Sequence, residues 1–227
     1  MALRMISRRS LNGSMTLVGD IAQATAPGAA ANWDEVLNHL PSLTKEPRVR
    51  ELTLSYRIPA PNLELANKVL AVAAPDLAPP RAVRSVGSPP RIIQVGRGAD
   101  SASHDLVEQS VSLVEEESEA LGGGSVAVIA PQSLIDQVDA ALKAKGIDYG
   151  RATTASRNVS GPLHPKIALV PVQLVKGLEL DGTVVIEPAV ILDEEPQGLR
   201  ALFVALTRST KRLAVVHARP LPDVLCD

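Results

Sequence analysis

Four short runs constrain this chain most: Val126-Ala-Val-Ile-Ala130, Lys166-Ile-Ala-Leu-Val170, Gly182-Thr-Val-Val-Ile186 and Arg212-Leu-Ala-Val-Val216. Each is apolar at nearly every position, not at alternate ones, so a strand built from it must be covered on both faces. Between and before them lie stretches with helical spacing. Asp105 to Leu121 carries apolar residues on one face, Pro131 to Lys145 forms a helix stopped by Gly146, and Gln197 to Leu206 precedes the last strand. Repeated strand-then-helix units predict an α/β fold with a largely parallel, helix-covered sheet. The 2% aromatic content means that Ala, Val, Leu and Ile must fill the core, within a hydrophobic fraction of 45% that is ample for packing.

The front of the chain continues the pattern. Leu3, Met5, Ile6 and Leu11 suggest a short helix, and Met15 to Val18 reads as a buried strand that ends at Gly19-Asp20. Asn32 is placed to cap a helix through Trp33, Val36, Leu37 and Leu40, stopped by Pro41. The stretch from Pro41 to Pro47 reads as a linker and divides the chain into residues 1–45 and 46–227. Arg50 to Ser55 alternates as a strand does, Pro59 and Pro61 open a helix carrying Leu63, Leu65, Ala66, Val69 and Leu70, and Pro75 to Pro90 is irregular before a strand at Ile92 to Val95. Glu115-Glu116-Glu117 reads as a solvated face.

With 23 basic and 25 acidic residues interspersed, the net charge of −2 offers no global attraction to nucleic acid. No continuous apolar stretch long enough for a membrane span or signal-peptide core follows Met1, so neither targeting nor membrane contact is expected. The single cysteine, Cys226, cannot form an internal disulfide and fits a reducing cytoplasm.

Several polar residues sit where strands give way to loops. In an open α/β sheet, ligands bind beyond the carboxyl ends of strands, where Asp20, Gln23, Tyr56 and Arg57 are expected. Gln23 offers both a donor and an acceptor to a phosphate or its attacking water, while Gly19-Asp20 alone also suits an ordinary turn. Arg57 can grip a phosphate bidentately and Tyr56 can lay its ring on a base; a core-packed tyrosine beside a surface arginine fits equally well. Glu179, after Lys176-Gly177, can accept from ribose hydroxyls, and Asp181 before Gly182 suits a turn. Thr207 and Arg208 are expected to emerge at the end of an otherwise buried helix, where an arginine either stabilises transition-state charge on a phosphate or simply complements the helix C-terminus.

Taken in order, Val18-Gly-Asp-Ile-Ala-Gln23, Leu54-Ser-Tyr-Arg57, Val175-Lys-Gly-Leu-Glu-Leu-Asp181 and Val204-Ala-Leu-Thr-Arg208 resemble motifs III to VI of superfamily 1 helicases of the UvrD type, and the resemblance spans almost the whole chain. It implies a RecA-like second lobe over residues 46–227, preceded by a short remnant of the first RecA-like lobe over residues 1–45. It also implies that Gln23, Arg57 and Arg208 meet the γ-phosphate of ATP, that Tyr56 stacks on adenine, that Glu179 contacts ribose, and that Lys176 and Gly177 border the nucleotide. No GxxxxGK[ST] loop is present, and Asp193-Glu194-Glu195 lacks the strand context of a magnesium-binding pair. The resemblance therefore implies that the phosphate loop and the Mg ligands belong to an N-terminal half of the same polypeptide, so that this piece hydrolyses no ATP by itself and carries no metal site.

Three departures bear on the partner. Ala24 to Asn32 stands where stacking aromatics usually follow motif III, with Trp33 only beyond it. Pro171 and Gln173 replace the usual Thr and His of motif V, and Asn67 to Lys166 has no room for the usual accessory domain. This combination, with the phrase Arg9-Ser-Leu-Asn-Gly-Ser-Met-Thr-Leu-Val-Gly-Asp-Ile-Ala-Gln-Ala-Thr25, is similar to the HelD branch, which implies action on RNA polymerase; a single-stranded DNA translocase, or a non-catalytic scaffold with the same fold, are the alternatives.

Overall fold

The computed structural model describes residue 5 and residues 7–9, 15–40, 47–96, 102–153 and 166–226. Most of the helix expected over Leu3 to Leu11, and the linker residues 41–46, lie outside them.

Six strands form one parallel sheet: β3 (Arg91–Gln94), β4 (Val126–Ala130), β5 (Tyr149–Arg151), β6 (Ile167–Pro171), β7 (Leu180–Ile186) and β8 (Ser209–His217), in the spatial order β3-β8-β7-β4-β6-β5. The four apolar runs become β4, β6, β7 and β8, with β4, β7 and β8 filling the middle. Because successive side chains point to opposite faces, each run feeds two cores. Ala127, Ile129, Val185 and Val215 pack on one face, against α2 (Ala60–Ala73), α5 (Pro188–Glu194) and α6 (Gly198–Leu206). Val126, Val128, Val184 and Val216 pack on the other, against α3 (Ala102–Ala120) and α4 (Ile135–Ala144). Beside the sheet, β1 (Leu54–Ser55) and β2 (Arg81–Ala82) form a separate two-stranded parallel pair. The short helix α1 (Trp33–Leu37) is capped as expected, with Asn32 Oδ1 accepting from the Glu35 amide at 2.9 Å. α4 ends at Gly146, whose φ of +68° suits the left-handed turn that closes the helix.

The chain leaves β4 through α4 on one face and leaves β7 through α5 and α6 on the other. The topological switch therefore falls between the carboxyl ends of β4 and β7.

Several expectations are corrected. Met15 to Val18 is not a buried strand: it takes no regular secondary structure and has no sheet partner among the described residues, and Val18 is 92% exposed. An apolar run becomes a strand only where a neighbouring backbone offers its hydrogen bonds. Glu117 is not on a solvated face; it is buried at 1% exposure because Arg91 and Arg212 reach it across the sheet. Asp181 lies within β7 at a register irregularity and not in a turn, bonded to the Ser125 amide at 3.0 Å and the Lys211 ammonium at 2.8 Å. The helix α5 and the strands β2 and β5 were not foreseen.

Candidate functional site

Four separated segments meet beside the amino ends of β7 and β8. Glu179 immediately precedes β7, Arg208 immediately precedes β8, and the Leu180 amide bonds the Arg208 carbonyl at 3.1 Å, so the two residues are locked side by side. Arg57, in the loop between β1 and α2, reaches Glu179 with Nη2 2.5 Å from Oε1. Lys176, in the loop before β7, donates to the Gln23 carbonyl at 2.8 Å, bringing the Asp20–Gln23 turn to the same place. Within that turn Asp20 caps a single 3-10 turn, accepting from the Ala22 amide at 2.9 Å and the Gln23 side-chain amide at 2.6 Å.

Of the four residues expected beyond strand carboxyl ends, Tyr56 and Arg57 do follow β1, whereas Asp20 and Gln23 follow no strand among the described residues. Glu179 and Arg208 stand at the amino ends of the large sheet, opposite its carboxyl-end crevice. The sequence orders strands and loops without saying which edge a loop from the small pair will reach.

Arg208 does not emerge. It is 5% exposed and Thr207 4%, because both turn back onto their own helix end. Thr207 Oγ1 donates to the Phe203 carbonyl at 2.9 Å; Arg208 Nε donates to the Val204 carbonyl at 2.9 Å, and its Nη2 to Thr207 Oγ1 at 3.0 Å. The Thr207 amide is shared between these two carbonyls at 3.1 and 3.3 Å, so each has acceptor capacity left at the helix end for a hydroxyl or a guanidinium with five N–H groups. Burial first, and then repulsion from Arg57, lower the proton affinity of Arg208, while Asp20 and Glu179 pull the other way. Its charge thus feels both members of the Arg57–Glu179 pair.

The remaining predicted residues take definite places. Tyr56 is 70% exposed, which excludes the core-packed alternative. Gly177 has φ +89°, a conformation that turns the chain from Lys176 toward Glu179 and that a side chain would strain. Gln23 is half-buried, its side chain held by Asp20.

Four contacts around the cluster had no sequence signal, because each joins residues far apart in the chain. Arg200, buried on α6, donates to the carbonyls of Ala30 at 3.3 Å and Ala31 at 2.8 Å, pinning the segment after Gln23 to the sheet-bearing body. Ala22 enters the core shared with Leu65 and Phe203. Asn62 on α2 donates to Ser209 Oγ at 3.0 Å, both fully buried, beside Arg208. Arg84 donates to the Arg57 and Thr210 carbonyls at 3.0 and 2.7 Å.

Trp33 lies against Gly19, its ring 3.4 Å from where a Cβ would stand, and lines a cleft of about 510 Å³ with Val18, Leu52, Leu70 and Phe203. At the opposite, carboxyl ends of the strands, Gln173 donates to Glu195 at 2.5 Å, the Ser133 amide to Glu194 at 3.3 Å, and Arg219 pairs with Asp193 at 2.8 Å. Burial and the neighbouring Glu194 raise the Glu195 carboxyl above its usual range, against the hydrogen bond from Gln173. Among the described residues no group of three or more His, Cys, Asp or Glu side chains is placed to hold a metal ion, and no helix is long and apolar enough to cross a membrane.

No protein-family model matches the sequence, and no curated protein matches it. Among solved structures, the C-terminal domain of a possible DNA helicase from Lactobacillus plantarum WCFS1 is similar with a TM-score of 0.55 at 20% identity, over 76% of this chain and 92% of that one. The Sulfolobus solfataricus SWI2/SNF2 ATPase core in complex with dsDNA (TM-score 0.40, 16% identity, 58% of this chain and 28% of that one) and an Arterivirus nonstructural protein 10 (helicase) with DNA (TM-score 0.36, 18% identity, 67% and 31%) are similar too weakly to define a fold. The parallel six-stranded sheet covered by helices is therefore an α/β, RecA-like fold, shared with that C-terminal domain.

Proposed function

We propose that this chain is the second lobe of an ATP-driven superfamily 1 motor, residues 46–227, preceded by the end of the first lobe, residues 1–45. The carrying observation is the convergence of Arg57, Glu179, Arg208, Lys176 and the Asp20–Gln23 turn, drawn from four sequence segments, on one patch at the amino ends of β7 and β8. The solved domain sharing this fold is described as part of a possible DNA helicase, which supports a motor of this general kind.

The patch suits the polyphosphate end of a nucleoside triphosphate: Arg57 is half-exposed, and its partner Glu179 is equally accessible, so a phosphate can replace the carboxylate on the guanidinium. ATP bound with Mg supplies the scissile phosphoanhydride, its phosphate loop and Mg ligands coming from the N-terminal half. Within this chain, Arg57 and Gln23 bind the terminal phosphate, Glu179 turns to ribose once released, and Tyr56 covers the base. Lys176 and Gly177 hold the motif III turn against the site, and Arg208 turns out from the end of α6 to stabilise charge on the transferring group.

The proposed partner is RNA polymerase, as in the HelD branch. Two observations favour a protein partner over single-stranded DNA: Trp33 is half-buried against Gly19, and Gln173 is bound to Glu195 within an acidic run that repels a polyanion. In the full-length protein Arg208→Ala should leave ATP binding intact and lower turnover by about 10³-fold; undiminished hydrolysis would remove the role. Stimulation of the ATPase by RNA polymerase and not by single-stranded DNA supports the partner, and the reverse result makes the protein a DNA translocase. Full-length protein that neither binds nor hydrolyses ATP would be a scaffold.

A further inference from the structure

Arg57 sits on the weakest scaffold in the site. It belongs to a loop between a two-residue strand and α2, half-exposed, outside the six-stranded sheet that carries Glu179 and Arg208. Something must hold that loop at the sheet for Arg57 and Glu179 to meet at 2.5 Å.

Arg84 meets the requirement. Its Nη1 donates to the Arg57 carbonyl at 3.0 Å and, from the same nitrogen, to the carbonyl of Thr210 at 2.7 Å, two residues beyond Arg208 on β8. One guanidinium nitrogen thus bridges the backbones of the two segments that deliver Arg57 and Arg208. The Arg84 carbonyl accepts from the Ala60 amide at 3.0 Å, so the residue brackets the Arg57 loop on both sides. Gly87 completes the strap, approaching Pro59 so closely that a Cβ would stand 2.6 Å from the proline Cβ. Arg84 itself is exposed, and among the described residues its hydrogen bonds go to the backbone of the site and to no carboxylate.

We infer that Arg84 is a positioning residue that staples the Arg57 loop to β8 and so sets how strongly the patch grips a polyphosphate. This rests on the nucleotide-site reading above. Because one nitrogen makes both bonds, a lysine ammonium can replace it in part, whereas methionine matches its length without a donor.

The test uses the chain as it stands, with inorganic tripolyphosphate as probe and the Arg57 side-chain Nε–H NMR signal as reporter of its pairing with Glu179. Wild type should bind tripolyphosphate, Arg57→Ala should weaken binding by about 10-fold, Arg84→Met by about 3- to 10-fold, and Arg84→Lys by less than about 2-fold. The Arg57 signal should move to the free-arginine position in Arg84→Met and stay near wild type in Arg84→Lys. Melting curves check folding, and if Arg84→Met unfolds, Arg84→Gln is read by the same two measurements. Wild-type binding and an unmoved Arg57 signal in Arg84→Met overturn the staple while leaving the site intact. If wild type ignores tripolyphosphate, or Arg57→Ala binds as well as wild type, the nucleotide-site reading fails instead. The Arg57 signal then decides alone, its loss in Arg84→Met upholding the staple and its persistence overturning it.

Discussion

The two ends of the six-stranded sheet carry opposite chemistry. At the amino ends of β7 and β8 stand Arg57, Arg208 and Lys176, with Glu179 and Asp20 among them. At the carboxyl ends stand Glu187 and the run Asp193–Glu195, held by Arg219, the Ser133 amide and Gln173. The topology puts the usual ligand crevice at the second of these, between β4 and β7, yet its acidic lining suits no anion. Topology names places where a ligand fits; side-chain charge decides which of them an anion can use.

The ends also differ in strain. Glu187, at the end of β7, has φ 50°, which makes it the sole non-glycine residue with positive φ among the described residues. Its Oε2 accepts from the Ala218 amide at 2.9 Å and the Arg219 amide at 3.4 Å, while Oε1 is buried without a partner in the structure. No comparable backbone strain exists at the amino end, where Gly177 takes the positive φ.

The largest effect should come from breaking the strained end. Glu187→Ala removes the acceptor from two backbone amides and leaves a β-carbon at positive φ, so it should destabilise by about 3 kcal/mol in denaturant unfolding. Glu187→Asn, which tolerates the left-handed region, should cost roughly 1 kcal/mol. Equal losses would show that strain plays no part.

Arg212→Met comes next. It strands the buried Glu117 carboxylate with Arg91 alone and should cost roughly 2 kcal/mol, less than a fully buried pair because both arginines are partly exposed. Burial pushes the Glu117 carboxyl up, but hydrogen bonds and charges from Arg212 and Arg91 outweigh it and hold it below its usual value of 4.5. The unfolded chain therefore binds this proton more readily than the folded one. The stabilisation is complete above about pH 4.5 and is lost as pH falls through the lowered folded value. Glu117→Gln should remove that part of the acid dependence, and an unchanged acid unfolding profile would count against the ion-pair cluster.

The contrast between the ends sharpens with charge. Glu195→Gln at the carboxyl end should leave tripolyphosphate binding unchanged, whereas raising salt from 50 to 200 mM should weaken it several-fold if the amino-end cations are responsible. The smallest effect expected is from Glu179→Gln. Freeing Arg57 from its half-exposed partner should tighten tripolyphosphate binding by about 3-fold, within the range of an exposed ion pair. Weaker binding in that variant would mean that Glu179 orients Arg57 and does not compete for it.

Of the candidate site, the residue types and their order were readable, because Arg57, Glu179 and Arg208 each sit at a strand or helix boundary that local pattern marks. Their pairing was not. Arg57 and Glu179 are separated by more than half the chain, and nothing local says that the small β1–β2 pair docks beside β8. Arg208 shows the same limit at short range: its boundary position is legible, but its exposure depends on whether the carbonyls at the end of α6 draw its guanidinium inward. Strands β2 and β5 escape the sequence because two or three residues are too few for a period, and α5 because it is only seven residues long and its left-handed N-cap, Glu187, offers no side-chain cap.

Local chemistry alone determined the layered architecture. Runs apolar on both sides require helices above and below, and glycines, prolines and Asn32 mark where elements stop and start. Tertiary structure alone decided three things: that the cationic patch forms at the amino end of the sheet, that Glu117 is buried, and that Met15 to Val18 joins no sheet among the described residues. The physical reason is range. Periodicity and capping act over a few residues, whereas ion pairs and strand pairing join groups whose sequence separation leaves no trace in either segment.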